Sequence, residues 1–171
     1  MAEFRAMRRN KQELAHDECV RILEKATAGV LSLIGDGGYP YGVPLSHVYK
    51  DGSLFFHSAL TGHKIDAIRA EEKCSFTVIE KDEVHPDEYT TYFRSVIAFG
   101  KIHIIEDEEQ RLGALRSLGE KFNPGDHEGI EKEIGKHLTP DNRLQHVLIL
   151  RMDIDHLSGK EAIELVRARK P

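Results

Sequence analysis

Five polar residues fall where an apolar run gives way to a helical pattern: His57, Ser58, Thr61, His63 and Lys64, within FFHSALTGHKIDAIR from Phe55 to Arg69. The stretch reads as a strand, a polar turn, and a helix from Gly62 to about Glu71. Amides in the first turn of a helix have no carbonyl of their own helix to bond, and the helix dipole favours negative charge there. With Lys64 and a protonatable His63 alongside, this corner holds the charge-assisted donors that a phosphate requires. The same residues also fit an ordinary strand-turn-helix corner, with Ser58 or Thr61 as the cap and Lys64 in solvent. Local sequence leaves both readings open.

The elements that must position this corner lie on either side. Tyr39 to Tyr49, YPYGVPLSHVY, reads as a preceding strand, and Lys50-Asp51-Gly52-Ser53 as the turn that pairs it with the next. Asp-Gly between apolar runs is a strong hairpin signal. Pro40 and Pro44 each remove a ladder donor, so the strand belongs at a sheet edge, at a bulge or against a ligand. Downstream, Tyr92 to Ile105 is a long β-branched and aromatic run with Arg94 and Ser95 at its start.

Taken together, Gly42-Val43-Pro44-Leu45-Ser46, Phe55-Phe56-His57-Ser58-Ala59, Gly62-His63-Lys64, Arg94-Ser95-Val96 and Ser158-Gly159-Lys160 resemble the pyridoxamine 5'-phosphate oxidase-like superfamily, in the branch related to 5-nitroimidazole resistance proteins. The resemblance runs from about Ala28 to Lys160. It implies a mainly β fold with flanking helices, a six-stranded antiparallel split β-barrel, and FMN in a groove between the two subunits of a homodimer. Val43, Pro44, Leu45 and Ser46 would then run along the flavin ring. His57 and Ser58 would lie near the ribityl phosphate, Thr61, His63 and Lys64 would hold its oxygens, and Arg94 with Ser95 would close the site. A flat ring asks for an apolar slot with few directed polar contacts, and these residue types supply one.

Two departures separate the chain from true pyridoxamine phosphate oxidases. Tyr41 stands where they carry an arginine, and the C-terminal run Val166-Arg167-Ala168-Arg169-Lys170-Pro171 differs from their substrate-binding tail. The implied activity is therefore an FMN-dependent oxidoreductase reducing a small-molecule acceptor such as a nitroaromatic. The alternatives are a flavin carrier or sensor without turnover, and a haem-binding relative using His146 or His156. The redox chemistry would belong to the cofactor. His47 or His57 could donate a proton, because imidazole titrates near neutrality; a structural hydrogen bond is the competing role.

Other chemistries find little support. The ten histidines show no i, i+4 pair and no His-Glu-x-x-His, so no metal site is expected. Nucleophile-elbow, P-loop and dinucleotide fingerprints are absent. Cys19 and Cys74 sit far apart in apolar segments and read as reduced core residues. A net charge of −5, without a basic run interleaved with aromatics, argues against nucleic acid. The basic cluster from Phe4 to Lys11 reads as a solvated tail. No stretch approaches the ~20 apolar residues of a membrane span and no signal core follows a charged start, so a cytoplasmic protein is expected.

At 171 residues and 40% hydrophobic content the chain should form a single domain over 1–171. Ala15, Cys19, Ile22, Leu23 and Ala26 share a face and predict a helix over about 12–26. Strands are expected at Val30–Ile34, Ser53–His57, Cys74–Ile79 and His146–Ile154, with a charged loop at Lys81–Glu88. A helical excursion spans about 107–137, stopped once at Asn123-Pro124-Gly125 and ended by Thr139-Pro140-Asp141-Asn142.

Overall fold

A computed structural model describes residues 4–141 and 143–169. Its strands are β1 (Ala28–Ile34), β2 (Pro40–Ser46), β3 (Val48–Lys50), β4 (Ser53–Ser58), β5 (Lys73–His85), β6 (Thr90–Ile104) and β7 (Leu148–Glu161). They form one antiparallel sheet in the order β2-β1-β5-β6-β7-β4-β3. The two edges, β2 and β3, are neighbours in the chain and are separated only by His47. One residue spans about 3.8 Å, so the sheet must curl until its edges meet at that point. No ladder joins β2 to β3 among the described residues. The expected six-stranded split β-barrel is thus corrected to a curled, open sheet of seven strands, because the run 39–49 breaks at His47 and each half pairs with a different neighbour.

Pro40 and Pro44 lie in the edge strand β2, where a missing donor leaves no ladder partner unsatisfied. Inside the curl, Leu31, Leu33, Leu54, Phe56, Phe76 and Val78 alternate inward from three strands to form the main core. Helix α1 (His16–Lys25), preceded by a short turn of 3-10 helix at Asn10–Gln12, closes one opening with Cys19, Ile22 and Leu23. It lies so close to β7 that a Cβ at Gly159 would collide with Cys19 Sγ, and the Leu14 amide donates to the Gly159 carbonyl at 3.0 Å. That close approach explains a glycine inside a strand.

Helix α2 (His63–Ala70) follows β4 and turns Ile65, Ala67 and Ile68 inward. Helices α3 (Glu108–Phe122) and α4 (His127–Gly135) make up the excursion, capped by Asp107 accepting from the Gln110 amide and by Asp126 accepting from the Gly129 amide. They cover the outer face of β4 and β7, where Ile105, Ala114, Leu144, Val147 and Ile149 form a second core. Helix α5 (Ile163–Ala168) ends the described chain. Asn142, Lys170 and Pro171, which belong to the predicted turn and tail, lie outside the described residues.

Two strands are longer than their apolar runs predict. β5 continues through the charged segment read as a loop, as far as His85, and pairs there with β6 beyond a bulge between Ile79 and Lys81. In that projecting arm the ladder is supported by polar cross-strand contacts: His85 stacks on Tyr92 at 3.9 Å. β7 likewise runs on to Glu161, past the point where apolar alternation stops at Ile154.

Candidate functional site

The start of α2 is an open helix end. The amides of Ile65 and Asp66 both bond to the Gly62 carbonyl, at 2.8 and 3.1 Å, leaving those of His63 and Lys64 ahead of the first intrahelical bond. Gly62 is the N-cap residue at φ 124°, a conformation that side-chain-bearing residues rarely adopt, and no side chain caps it. Neither Ser58 nor Thr61 takes the capping role of the ordinary-corner reading; the Ser58 hydroxyl is buried and has no partner among the described residues.

Lys64 is half-buried, and burial lowers the pKa of its amine from the ordinary lysine value. No carboxylate pairs with it among the described residues. His63 is already engaged: it stacks on Tyr41 with ring centroids 4.1 Å apart, and its Nε2 accepts the Asp36 amide at 3.3 Å. That bond leaves the ring proton on Nδ1 whenever His63 is neutral. Tyr41 and Asp36, not foreseen in this role, thereby pin the β1–β2 corner to α2. Thr61 is exposed in the turn beside them.

On β2 the side chains alternate. Pro44 and Ser46 are exposed, whereas Val43 and Leu45 are half-buried and Leu45 packs on the main core. Pro44 lines a shallow depression with Val30, Thr77 and Ile79 on the outer face of β2, β1 and β5. A slot for a flat ring on this face would use Pro44 and Ser46 rather than all four residues.

No hydrogen bond or ion pair joins Arg94 or Ser95 to the α2 corner among the described residues. They pair with Glu161 and Lys160 near the end of β7, whereas His57 and Ser58 pair with Ile149 and Leu148 at its beginning. Twelve residues of β7 separate Lys160 from Leu148, roughly 40 Å of strand contour at ~3.3 Å per residue. The Arg94 guanidinium is also held by two carboxylates, Glu161 at 3.1 Å and Glu80 at 3.3 Å. Arg169 contacts the same Glu161 carboxylate at 3.1 Å.

The two proposed proton donors part company. His47 is fully buried against Phe56 and Phe76, and its Nε2–H donates to the Leu23 carbonyl at 2.9 Å. Burial lowers its pKa to about 4. Of its two candidate roles, this placement matches the structural hydrogen bond. His57 is exposed and faces a cavity of about 700 Å3 between the end of β4 and helices α3 and α4, with His137 and His146 also in the wall. Of the two histidines considered for iron, His146 borders this cavity, while His156 stacks on Phe4 at 4.6 Å.

Burial raises the Cys74 thiol to about 12 and raises that of Cys19, so neither is an activated nucleophile. Among the described residues no cluster of three or more histidine, cysteine or acidic side chains could hold a metal ion, and no helix is long and apolar enough to cross a membrane.

The sequence profile of the pyridoxamine 5'-phosphate oxidase family matches residues 15–161, which takes in α1, the whole sheet, α2 and the excursion. The chain belongs to this family. No curated protein sequence is a significant match. Solved structures share the fold at low identity. A candidate 5-nitroimidazole antibiotic resistance protein from Bacteroides thetaiotaomicron is 19% identical with a TM-score of 0.69, over 87% of this chain and 86% of that one. The flavocytochrome Anf3 from Azotobacter vinelandii is 18% identical with a TM-score of 0.71, over 97% of this chain and 79% of that one. The FAD and haem binding protein from Mycobacterium smegmatis is 21% identical with a TM-score of 0.69, over 94% of this chain and 81% of that one.

Proposed function

We propose that the chain binds FMN and is an oxidoreductase that reduces a small acceptor such as a nitroaromatic, in a groove shared by two copies. The observation that carries the proposal is Lys64: a half-buried cation without a carboxylate partner among the described residues, set beside the open amides of α2. Holding an ammonium group partly out of water is costly, and an anion received there relieves the cost. The family of the chain and the names of its structural relatives, two of which mention a flavin or FAD, support reading the anion as a flavin phosphate.

A second copy is part of the reading because the residues matched to the site divide into two groups at opposite ends of β7. Arg94 and Ser95 of one chain could complete the corner of another. Ile79 and Val84, 68% and 67% exposed on β5, give the same region an apolar surface suited to a partner. A bound flavin supplies the electron transfer, while Lys64 and the α2 amides hold its phosphate and Pro44 with Ser46 borders its ring. His57 is the exposed imidazole placed to move a proton.

The test is the visible spectrum of the purified protein, which should show flavin absorbance near ~450 nm. Replacing Lys64 by Ala should weaken FMN by about tenfold or more and leave riboflavin nearly unchanged, since only FMN carries the phosphate. Equal weakening of both would refute the phosphate role. Flavin reduction by NADH or NADPH, followed by reoxidation with a nitroaromatic, separates an enzyme from a carrier or sensor.

A further inference from the structure

Helix α3 roofs β4 at both ends of the strand. The cavity already described lies at the Ser58 end; at the Ser53 end, roughly 17 Å away at ~3.3 Å per residue, is a second one of about 270 Å3. Lys50, Asp51, Phe55 and Arg151 form its sheet side, and Gln110 and Gly113 stand on its helix side. None of its residues has a part in the flavin reading. The hairpin that carries Lys50 and Asp51 is fixed by a tight turn: Asp51 and Gly52 sit at φ 49° and 79°, and Lys50 pairs with Ser53 across them. The helix side is hollow, because a Cβ at Gly113 would meet no atom within 4 Å.

The donors in this wall are unevenly used. The Arg151 guanidinium lies over the Phe55 ring, 5.9 Å from its centroid, and its Nε donates to the Asp153 carboxylate at 2.7 Å. Neither terminal nitrogen of Arg151 has a partner among the described residues, and no carboxylate pairs with the Lys50 ammonium among them. Asp153 is occupied within the sheet, where it also accepts from the Ser53 hydroxyl at 2.9 Å. Asp51 in the wall and Asp153 behind Arg151 match the two cations in number, so a dianion such as phosphate finds no surplus positive charge. A single carboxylate gains the open, planar fork of Arg151, whose two parallel N–H groups fit its two oxygens. The volume lies just below the ~300–1,000 Å3 of drug-sized sites, which sets the ligand small.

We infer that this cavity binds a small monocarboxylate with an apolar or aromatic body. The Arg151 fork takes the carboxylate with Lys50 beside it, and the body lies against Phe55 in the space that Gly113 leaves open. Cations are disfavoured by Lys50 and Arg151 at the wall. The site stands whether or not a flavin occupies the α2 corner.

The probe is 4-fluorobenzoate, titrated into the full-length protein at constant ionic strength and followed by fluorine NMR, with flavin content read on the same samples. Saturable binding at one site per chain is the expected result, with the neutral isostere 4-fluorobenzamide weaker by about tenfold or more, since it forfeits the charge-assisted pair. Gly113→Leu fills the hollow, favours the helix and should weaken the probe by at least about tenfold. Arg151→Met keeps an unbranched apolar stem, removes the fork and should weaken it by about tenfold. Arg116→Ala, on α3 but turned outward to Glu131, should bind like the parent. Circular dichroism identifies any variant that fails to fold, and Gly113→Leu leaves every bond of Arg151 in place, so the two variants fail independently. Absence of saturable binding, equal affinity for the benzamide, or unchanged affinity in both variants overturns the site. Displacement of the probe by FMN overturns it as well, by placing the probe in the flavin groove, and displacement by inorganic phosphate at equal concentration overturns the carboxylate assignment.

Discussion

The Nε2–H of His47 donates to the Leu23 carbonyl at 2.9 Å, and this bond ties the single residue between the two sheet edges to the end of helix α1. A carbonyl only accepts, so the ring proton is fixed on Nε2. Nδ1 is left bare and buried without a partner among the described residues. His47, for which the sequence offers either proton donation or a structural hydrogen bond, is therefore placed for the structural bond.

A pH dependence follows. Burial lowers the pKa of folded His47 to about 4, below the ordinary ~6.5 of the unfolded chain. Between those values the unfolded state binds a proton that the folded state refuses. This contribution is fully present above about pH 6.5 and is lost as pH falls to about 4, a change of about 3 kcal/mol. Urea unfolding measured across that range should show the slope, and His47→Leu should flatten it. A slope unchanged in the variant would assign the acid sensitivity to other groups.

Lys121 of α3 donates to two carbonyls at the end of α1, Ala26 at 2.6 Å and Leu23 at 3.4 Å. These are carbonyls that a helix end leaves without intrahelical partners, and a cation there also meets the negative end of the dipole. Lys121→Met keeps the apolar stem and removes the donor. It should cost about 1–2 kcal/mol in denaturant unfolding, with the m-value unchanged. Loss below ~0.3 kcal/mol would show that water serves these carbonyls equally well.

Gly62→Ala tests the open helix end. No atom lies within 4 Å of the added Cβ, so any cost comes from the φ of 124°. Destabilisation of about 1–2 kcal/mol is expected. If α2 receives an anion, FMN should be lost along with stability. A variant as stable as the parent would mean that the turn relaxes to another conformation.

Ile79→Asp places a charge on the exposed apolar arm of β5. In the shared-groove reading it should shift sedimentation toward monomer and lower flavin retention together, as binding linked to assembly requires. A monomer that keeps full flavin affinity would remove the second copy from the site.

Much of the framework was legible because short-range physics decides it. The stripe Cys19, Ile22 and Leu23 placed α1, the acids and apolar spacing after Asp107 placed α3, and the prolines limited β2 to an edge, a bulge or a ligand contact, of which the fold shows the edge. The donor-rich start of α2 was readable for the same reason: glycine and free amides are local features. The charged half of β5 and the second half of β7 are not legible in the sequence, since hydrogen bonding to a neighbouring strand extends them beyond their apolar alternation.

The sequence alone determined the kinds of groups available and the elements that carry them. Tertiary structure decided which groups meet. Only the curled sheet turned His47 inward, stacked His63 on Tyr41, occupied Arg94 with Glu161 and Glu80, and set Arg94–Ser95 at the far end of β7 from His57–Ser58. It also raised the apolar faces of α3 and α4 over β4 to enclose a cavity. The physical reason is range: propensity, capping and turn chemistry act within a few residues, whereas register, burial and charge pairing depend on partners that the chain brings together only by folding.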